Sequence, residues 1–165
     1  MSNKINILFV CLGNICRSPL ADGLMVHAIE QRGLDIYFSI DSAGTYAGHA
    51  GNRADERMRR TASSHGVELH SIARQFVKAD FDLFDHIVVM DDSNYSNVER
   101  LAKNDNDRNK IFKLRSYDNQ QSNKDVDDPY YGGMQGFENC FSVVNESVNN
   151  FLDFLVHENQ INTNK

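Results

Sequence analysis

Residues 10–23 read VCLGNICRSPLADG. A cysteine closes an apolar run, five residues separate it from an arginine, and Ser18 and Pro19 stand where a helix begins. The preceding INILFV, residues 5–10, is a short continuous apolar stretch, the pattern of a strand covered on both faces. Downstream, Leu20, Leu24, His27 and Ala28 recur at three- and four-residue steps as far as Gly33, which predicts a helix starting near Pro19. The loop between them therefore sits at a strand's carboxyl end, over a helix's first turn. Such a terminus offers unpaired N–H groups and a partial positive charge, a ready site for an anion. Proline is tolerated there because its missing N–H has no helical partner, and Gly13 is expected to supply the backbone bend.

The rest of the chain repeats the alternation. IYFSID (36–41), HIVVM (86–90) and IFKL (111–114) read as further strands. Helices are expected over 55–65, over 71–79, and from an Asp-Asp-Ser cap at 91–93 to about Lys103. A final helix carries Phe137, Phe141, Val144, Val148, Phe151, Leu152 and Leu155 as one apolar stripe. Strands alternating with helices predict an α/β protein with an open parallel sheet and helices on both faces. Ligands of such folds sit beyond the carboxyl ends of the strands, the edge that Cys11 occupies.

Composition narrows the function classes. A chain of 165 residues with 41% hydrophobic and 24% charged content is expected to form one globular domain, placed at 1–157 with a polar tail at 158–165. No apolar run approaches the ~18 residues of a membrane helix, and the N-terminus carries no signal-peptide pattern. Three cysteines are an odd, sparse set that suits a reduced, cytoplasmic protein. A net charge of -6 argues against a nucleic-acid surface. Arg53, Arg57, Arg59 and Arg60 are interleaved with Asp55 and Glu56 and read as a solvated helix face. The histidines show no metal-ligand spacing, and no glycine-rich nucleotide cradle occurs, so neither metal nor cofactor is expected.

The chemistry follows from residue types. A Cys11 thiol in an electropositive cradle favours thiolate, and Arg17 adds a charged fork that grips two oxygens of a phosphoryl group. A Ser18 hydroxyl beside the sulfur eases its departure from an intermediate. Together they suggest nucleophilic displacement at phosphorus. The leaving oxygen then needs a proton, and DVDDPYYGG (125–133) is a loop with carboxyls to give one. Pro129 holds Asp128 extended; packed against Tyr130 and Tyr131, its carboxyl is expected to be partly desolvated, which suits a proton donor. The same tyrosines are candidate walls for an aromatic substrate. Asp125 and Asp127 are rival acids. Asp91 is expected to cap a helix, and Cys140 to pack on the apolar side of the last helix.

The segment CLGNICRSPLADG with the later DPYYGG, together with DSAGT (41–45), ARQF (73–76) and VVMDDSN (88–94), resembles the low-molecular-weight protein tyrosine phosphatase family over about Lys4–Leu155. The resemblance implies a flavodoxin-like three-layer sandwich with a four-stranded parallel sheet and no metal or cofactor. It implies hydrolysis of phosphotyrosine monoesters on protein substrates through a phosphocysteine, with inorganic phosphate as product and inhibitor. The nucleophile then maps to Cys11, the phosphate-binding arginine to Arg17 and the general acid to Asp128. Ser18 matches the assisting hydroxyl and Asn14 the loop-shaping asparagine, while Leu12, Gly13, Ile15 and Cys16 complete the phosphate loop. Cys16 also matches a cysteine that pairs with the nucleophile under oxidation in the family; packing is the competing reading here.

The chain departs from the family at two places. Gly48 stands where many members carry a bulky aromatic, so Tyr46 or His49 is expected to supply that wall. Ser71 stands where several carry a histidine that supports the loop. Three other functions share these residues. A protein-arginine phosphatase tends to carry threonine where this chain has Ile15. A thioredoxin-coupled arsenate reductase needs a relay of further cysteines, and none lies between Arg17 and Asn139. A phosphate-binding module without catalysis would need neither Cys11 nor Asp128.

Overall fold

β1 (Ile5–Cys11) is the strand on which the rest of the sheet is built. In the computed structural model, which describes residues 4–161, it pairs in parallel with β2 (Phe38–Gly44) on one side and β3 (His86–Val89) on the other. β4 (Ile111–Lys113) joins β3, giving the order β2-β1-β3-β4. Phe9 sits opposite Ser42 and Val88, so β1 is covered along both edges. Alternate side chains then divide between two cores. Ile7 and Phe9 pack with Leu20 and Leu24 of α1 (Arg17–Gln31) and with Phe137 and Phe151 of α6 (Gly133–Glu158). Leu8 and Val10 face the other way, toward Phe81 of α3 (Asp80–Leu83) and Val98 of α4 (Asp92–Glu99). The result is the expected α/β three-layer sandwich of flavodoxin-like order, with a switch of connection direction beside β1.

Side-chain caps fix two helix starts, the one at Asp91 as expected. Asp55 caps α2 (Glu56–Ser64) by accepting the Arg57 N–H at 2.8 Å, and Asp91 caps α4 by accepting the Asn94 N–H at 2.7 Å. The stripe on α6 is buried from Phe137 to Leu155. α6 ends at Glu158, and Ile161 still packs on the core; the remainder of the expected polar tail, 162–165, lies outside the described residues.

Several expected boundaries move. α1 begins at Arg17 rather than Pro19, which puts the arginine itself in the first turn. β2 begins at Phe38, because Asp35–Tyr37 forms a 3-10 turn, and runs on to Gly44. α4 stops at Glu99; the chain turns there and Asn104 caps a new short helix, α5 (Asp105–Arg108). The helix expected over 71–79 does not form. Its backbone groups are taken by distant partners: Gly44 N–H donates to the Arg74 carbonyl at 2.9 Å, Phe76 N–H to the Gly44 carbonyl at 2.7 Å, and Ala73 N–H to the Asn52 carbonyl at 2.8 Å. The segment is an extended brace across the end of β2, and tertiary pairing overrides its helical spacing.

Two stability predictions follow from the packing. Phe151 is fully buried, with its ring 5.2 Å from Phe112 and 4.9 Å from Tyr117. Phe151→Ala is expected to lower the unfolding free energy by about 3–5 kcal/mol in denaturant titration; a loss below about 1 kcal/mol contradicts the packing described. On α1, burial and then the nearby Asp41 charge push the Asp22 carboxyl up to about 7, against a hydrogen bond from Ser42. The folded chain thus holds this proton to higher pH than the unfolded chain, whose aspartate titrates near ~4. The associated stability is complete below about pH 4 and is lost as pH rises through about 7. Asp22→Asn should therefore match the parent near pH 4 and exceed it by about 4 kcal/mol at pH 8. Parallel stability–pH profiles would contradict this.

Candidate active site

The loop between β1 and α1 is closed from below by side chains rather than by glycine freedom. Asn14, not Gly13, takes the left-handed conformation, with φ of 57°; asparagine tolerates that region better than most residues. Its side chain then spans the loop. Nδ2 donates to Ser18 Oγ at 2.7 Å and to Ser42 Oγ at 3.0 Å, and Oδ1 accepts the Arg74 N–H at 3.0 Å. Ser18 Oγ in turn lies 3.0 Å from Cys11 Sγ. Glycine is required instead at Gly44, where a Cβ would stand 2.7 Å from the Leu12 carbonyl oxygen. β2 therefore approaches the loop closely enough for Tyr46 N–H to reach that same carbonyl at 2.8 Å.

Arg17 is 2% exposed. Its Nη1 donates to Asp91 Oδ2 at 2.7 Å and to the Val126 carbonyl at 2.9 Å, while Nη2 lies 3.6 Å from Asp128 Oδ2. Burial works against the charge, but the facing Cys11 sulfur and Asp91 outweigh it and hold Arg17 above the ordinary arginine range. The guanidinium is a fixed cation. The other two cysteines behave differently: burial, with Asp55 adding to it, pushes the Cys16 thiol far up, and burial pushes Cys140 up to about 12. Both remain neutral thiols at pH 7, and all three cysteines are free.

A cavity of about 150 Å³ opens above this floor. Cys11, Gly13, Ile15, Cys16 and Arg17 line its base and Leu12 its rim; Tyr46, His49, Tyr130 and Tyr131 form walls, with Asp128 at one side. Asp128 Oδ1 accepts the Tyr130 N–H at 3.0 Å, so the carboxyl caps the short turn Pro129–Tyr131. Its side chain is 36% exposed, so the carboxyl is partly covered and still open to the cavity. Tyr130 is held by Arg57, whose guanidinium stacks 5.1 Å from the ring centroid and donates to the Tyr130 carbonyl at 3.1 Å. Tyr131, 90% exposed, stands edge-on to Tyr130 at 5.0 Å. Opposite, the Tyr46 ring fills the space over Gly48, where a Cβ would fall 2.1 Å from the ring. The absent aromatic at 48 is thus replaced by Tyr46, edge-on to His49 at 6.2 Å.

Cys11, Arg17, Asp128, the loop residues and the four wall residues singled out from sequence line this cavity, with Asn14 and Ser18 directly behind it. Asp125 and Asp127 do not line it; Asp125 instead pairs with Lys113 at 2.8 Å. Cys140 packs in the core beneath α6. Ser71 does not brace the loop, and its hydroxyl has no partner among the described residues; the Arg74 amide does that work on Asn14. Sequence reasoning missed the second duty of Asp91 as the partner of Arg17, and the role of Arg57. Asp91 follows β3 at the same sheet edge as Cys11, and that placement was the available signal. Among the described residues no group of three or more His, Cys, Asp or Glu side chains is arranged to hold a metal ion, and no helix is long and apolar enough to cross a membrane.

The sequence and the fold resemble those of known proteins. The profile of a family described as low molecular weight phosphotyrosine protein phosphatase matches residues 6–163. A protein of that name from Schizosaccharomyces pombe is 42% identical, over 92% of this chain and 97% of its own. The crystal structure of a protein tyrosine phosphatase from Entamoeba histolytica with Hepes in the active site superposes with a TM-score of 0.89 at 37% identity, covering 96% of this chain and 100% of that one. A drosophila arginine phosphatase superposes with a TM-score of 0.83 at 32% identity, covering 90% and 96%.

Proposed function

The chain belongs to the low molecular weight phosphotyrosine protein phosphatase family, and on that premise we propose that it hydrolyses protein phosphotyrosine through a phosphocysteine on Cys11. The observation that carries this reading is the convergence on one cavity of the Cys11 sulfur, the fixed Arg17 cation and the Asp128 carboxyl. Loop amides at the α1 terminus and the free side of Arg17 bind the phosphoryl oxygens and stabilise the charge that spreads over them in the transition state. The Cys11 thiolate attacks phosphorus as the bond to the tyrosyl oxygen breaks, and Asp128 gives that oxygen its proton.

In the second half, water attacks the phosphocysteine and Asp128 takes the water's proton. Phosphate leaves, and the sulfur returns as a thiolate steadied by the Ser18 hydroxyl 3.0 Å away. Inorganic phosphate then competes for the same cradle. The aromatic walls suit a tyrosyl ring, and the branched alkyl group of Ile15 on the floor favours a flat aryl ester over a guanidino phosphate. A reduced cytoplasmic setting suits a thiolate nucleophile and three unpaired cysteines.

Turnover of phosphotyrosine, phosphoserine and phosphoarginine peptides, with and without reductant, tests the reading. Phosphotyrosine should lead, with competitive inhibition by phosphate. Cys11→Ser should abolish turnover, and Asp128→Asn should slow it by about 10²–10³-fold. Undiminished turnover in Cys11→Ser, or a preference for phosphoarginine, overturns it.

A further inference from the structure

Asp125 is no rival acid, yet its carboxyl is engaged in a way the mechanism above leaves unused. Lys113, the last residue of β4, has a side chain only 8% exposed, and its Nζ lies 2.8 Å from Asp125 Oδ1 and 2.9 Å from Asp92 Oδ1. Asp125 Oδ1 also accepts the Asp92 N–H at 3.1 Å, and the Asp125 carbonyl accepts from Arg115 Nη1 at 3.1 Å. Each carboxylate neighbours a residue that holds Arg17. Asp92 follows Asp91, which binds Nη1; Asp125 precedes Val126, whose carbonyl binds the same Nη1 and whose N–H donates to the Met90 carbonyl at 2.7 Å. Asp128 comes two residues after Val126. One ammonium therefore joins the start of α4 to the stem of the loop that carries Asp128.

We propose that Lys113 is a positioning residue: clamped between Asp92 and Asp125, it fixes the stem of the acid loop and so the distance of Asp128 from the substrate's leaving oxygen. The proposal rests on the phosphatase reading given above. The ammonium is largely buried, whereas Asp92 is 82% exposed and Asp125 43%, so the shorter, better covered bond to Asp125 does most to hold the geometry. That bond holds the Asp125 carboxyl below the usual carboxylate range, so the clamp stays ionised at neutral pH. Without Lys113, Asp92 and Asp125 would face each other as like charges and push the stem away from α4. A shift of even about 1 Å in a reacting group can cost about 10²-fold in rate.

The test is kcat/KM for a series of aryl phosphates whose phenols differ in acidity, because a misplaced acid hurts poor leaving groups most. Lys113→Met should lose about tenfold on phenyl phosphate but less than about twofold on p-nitrophenyl phosphate, whose phenolate leaves with little help. In an Asp128→Asn background the same substitution should add less than about twofold on either ester, since no acid remains to misplace. Asp125→Asn leaves Lys113 its Asp92 partner and sits at a half-exposed position; it should give the same leaving-group signature at smaller amplitude. It carries the test alone if Lys113→Met does not fold. Equal losses across the series, or a full loss that persists without Asp128, would mark a merely structural role and overturn the proposal. A parent protein that fails to hydrolyse any aryl phosphate would instead sink the phosphatase reading.

Discussion

The site depends on one buried cation being held still. Arg17 gives Nη1 to Asp91 and to the Val126 carbonyl, and that pairing offsets the cost of removing a guanidinium from water. The two partners come from different places, the end of β3 and the stem of the acid loop. Holding the arginine therefore also fixes the separation of those segments. The nitrogens that face the cavity make no hydrogen bond to protein among the described residues, so they are available to an anion without rearrangement. Pre-paid ordering of this kind is what makes electrostatic stabilisation effective at a reacting centre.

Below the arginine, the loop is rigid for a second reason. Asn14 adopts a backbone conformation that costs energy and recovers it through three side-chain hydrogen bonds, one of which reaches the serine beside the proposed nucleophile. The floor is thus built on buried side chains, Cys11, Asn14, Arg17 and Ser18, whereas Tyr46 and Tyr131 in the walls are exposed. Tyr46 and Tyr131 are 56% and 90% exposed, so they can be exchanged or reoriented with little effect on the core.

Much of this was legible in the sequence, and the failures have physical causes. The apolar run of β1, the cap at Asp91 and the stripe on α6 are local signals, and each is realised. The segment 71–79 has helical spacing, but Gly44, Asn52 and Asn14 claim its backbone groups, and no local pattern reveals a partner 30 or 60 residues away. Gly13 seemed the natural bend; Asn14 takes it because its side chain, unlike a hydrogen atom, also ties the loop to β2. Pro129 singles out Asp128 among the three carboxyls, and the position of Lys113, which no local pattern reveals, draws Asp125 aside. Asp91 has two duties, and the cap alone already explained it.

The central claim is that the loop amides and Arg17 hold a tetrahedral oxyanion against the Cys11 sulfur with Asp128 facing it. A crystal structure of the protein with vanadate tests this directly. The account predicts vanadium bonded to Cys11 Sγ, two of its oxygens on Arg17 and the apical oxygen within hydrogen-bond reach of Asp128. Vanadate bound elsewhere, or bound with Asp128 turned out of reach, would contradict it.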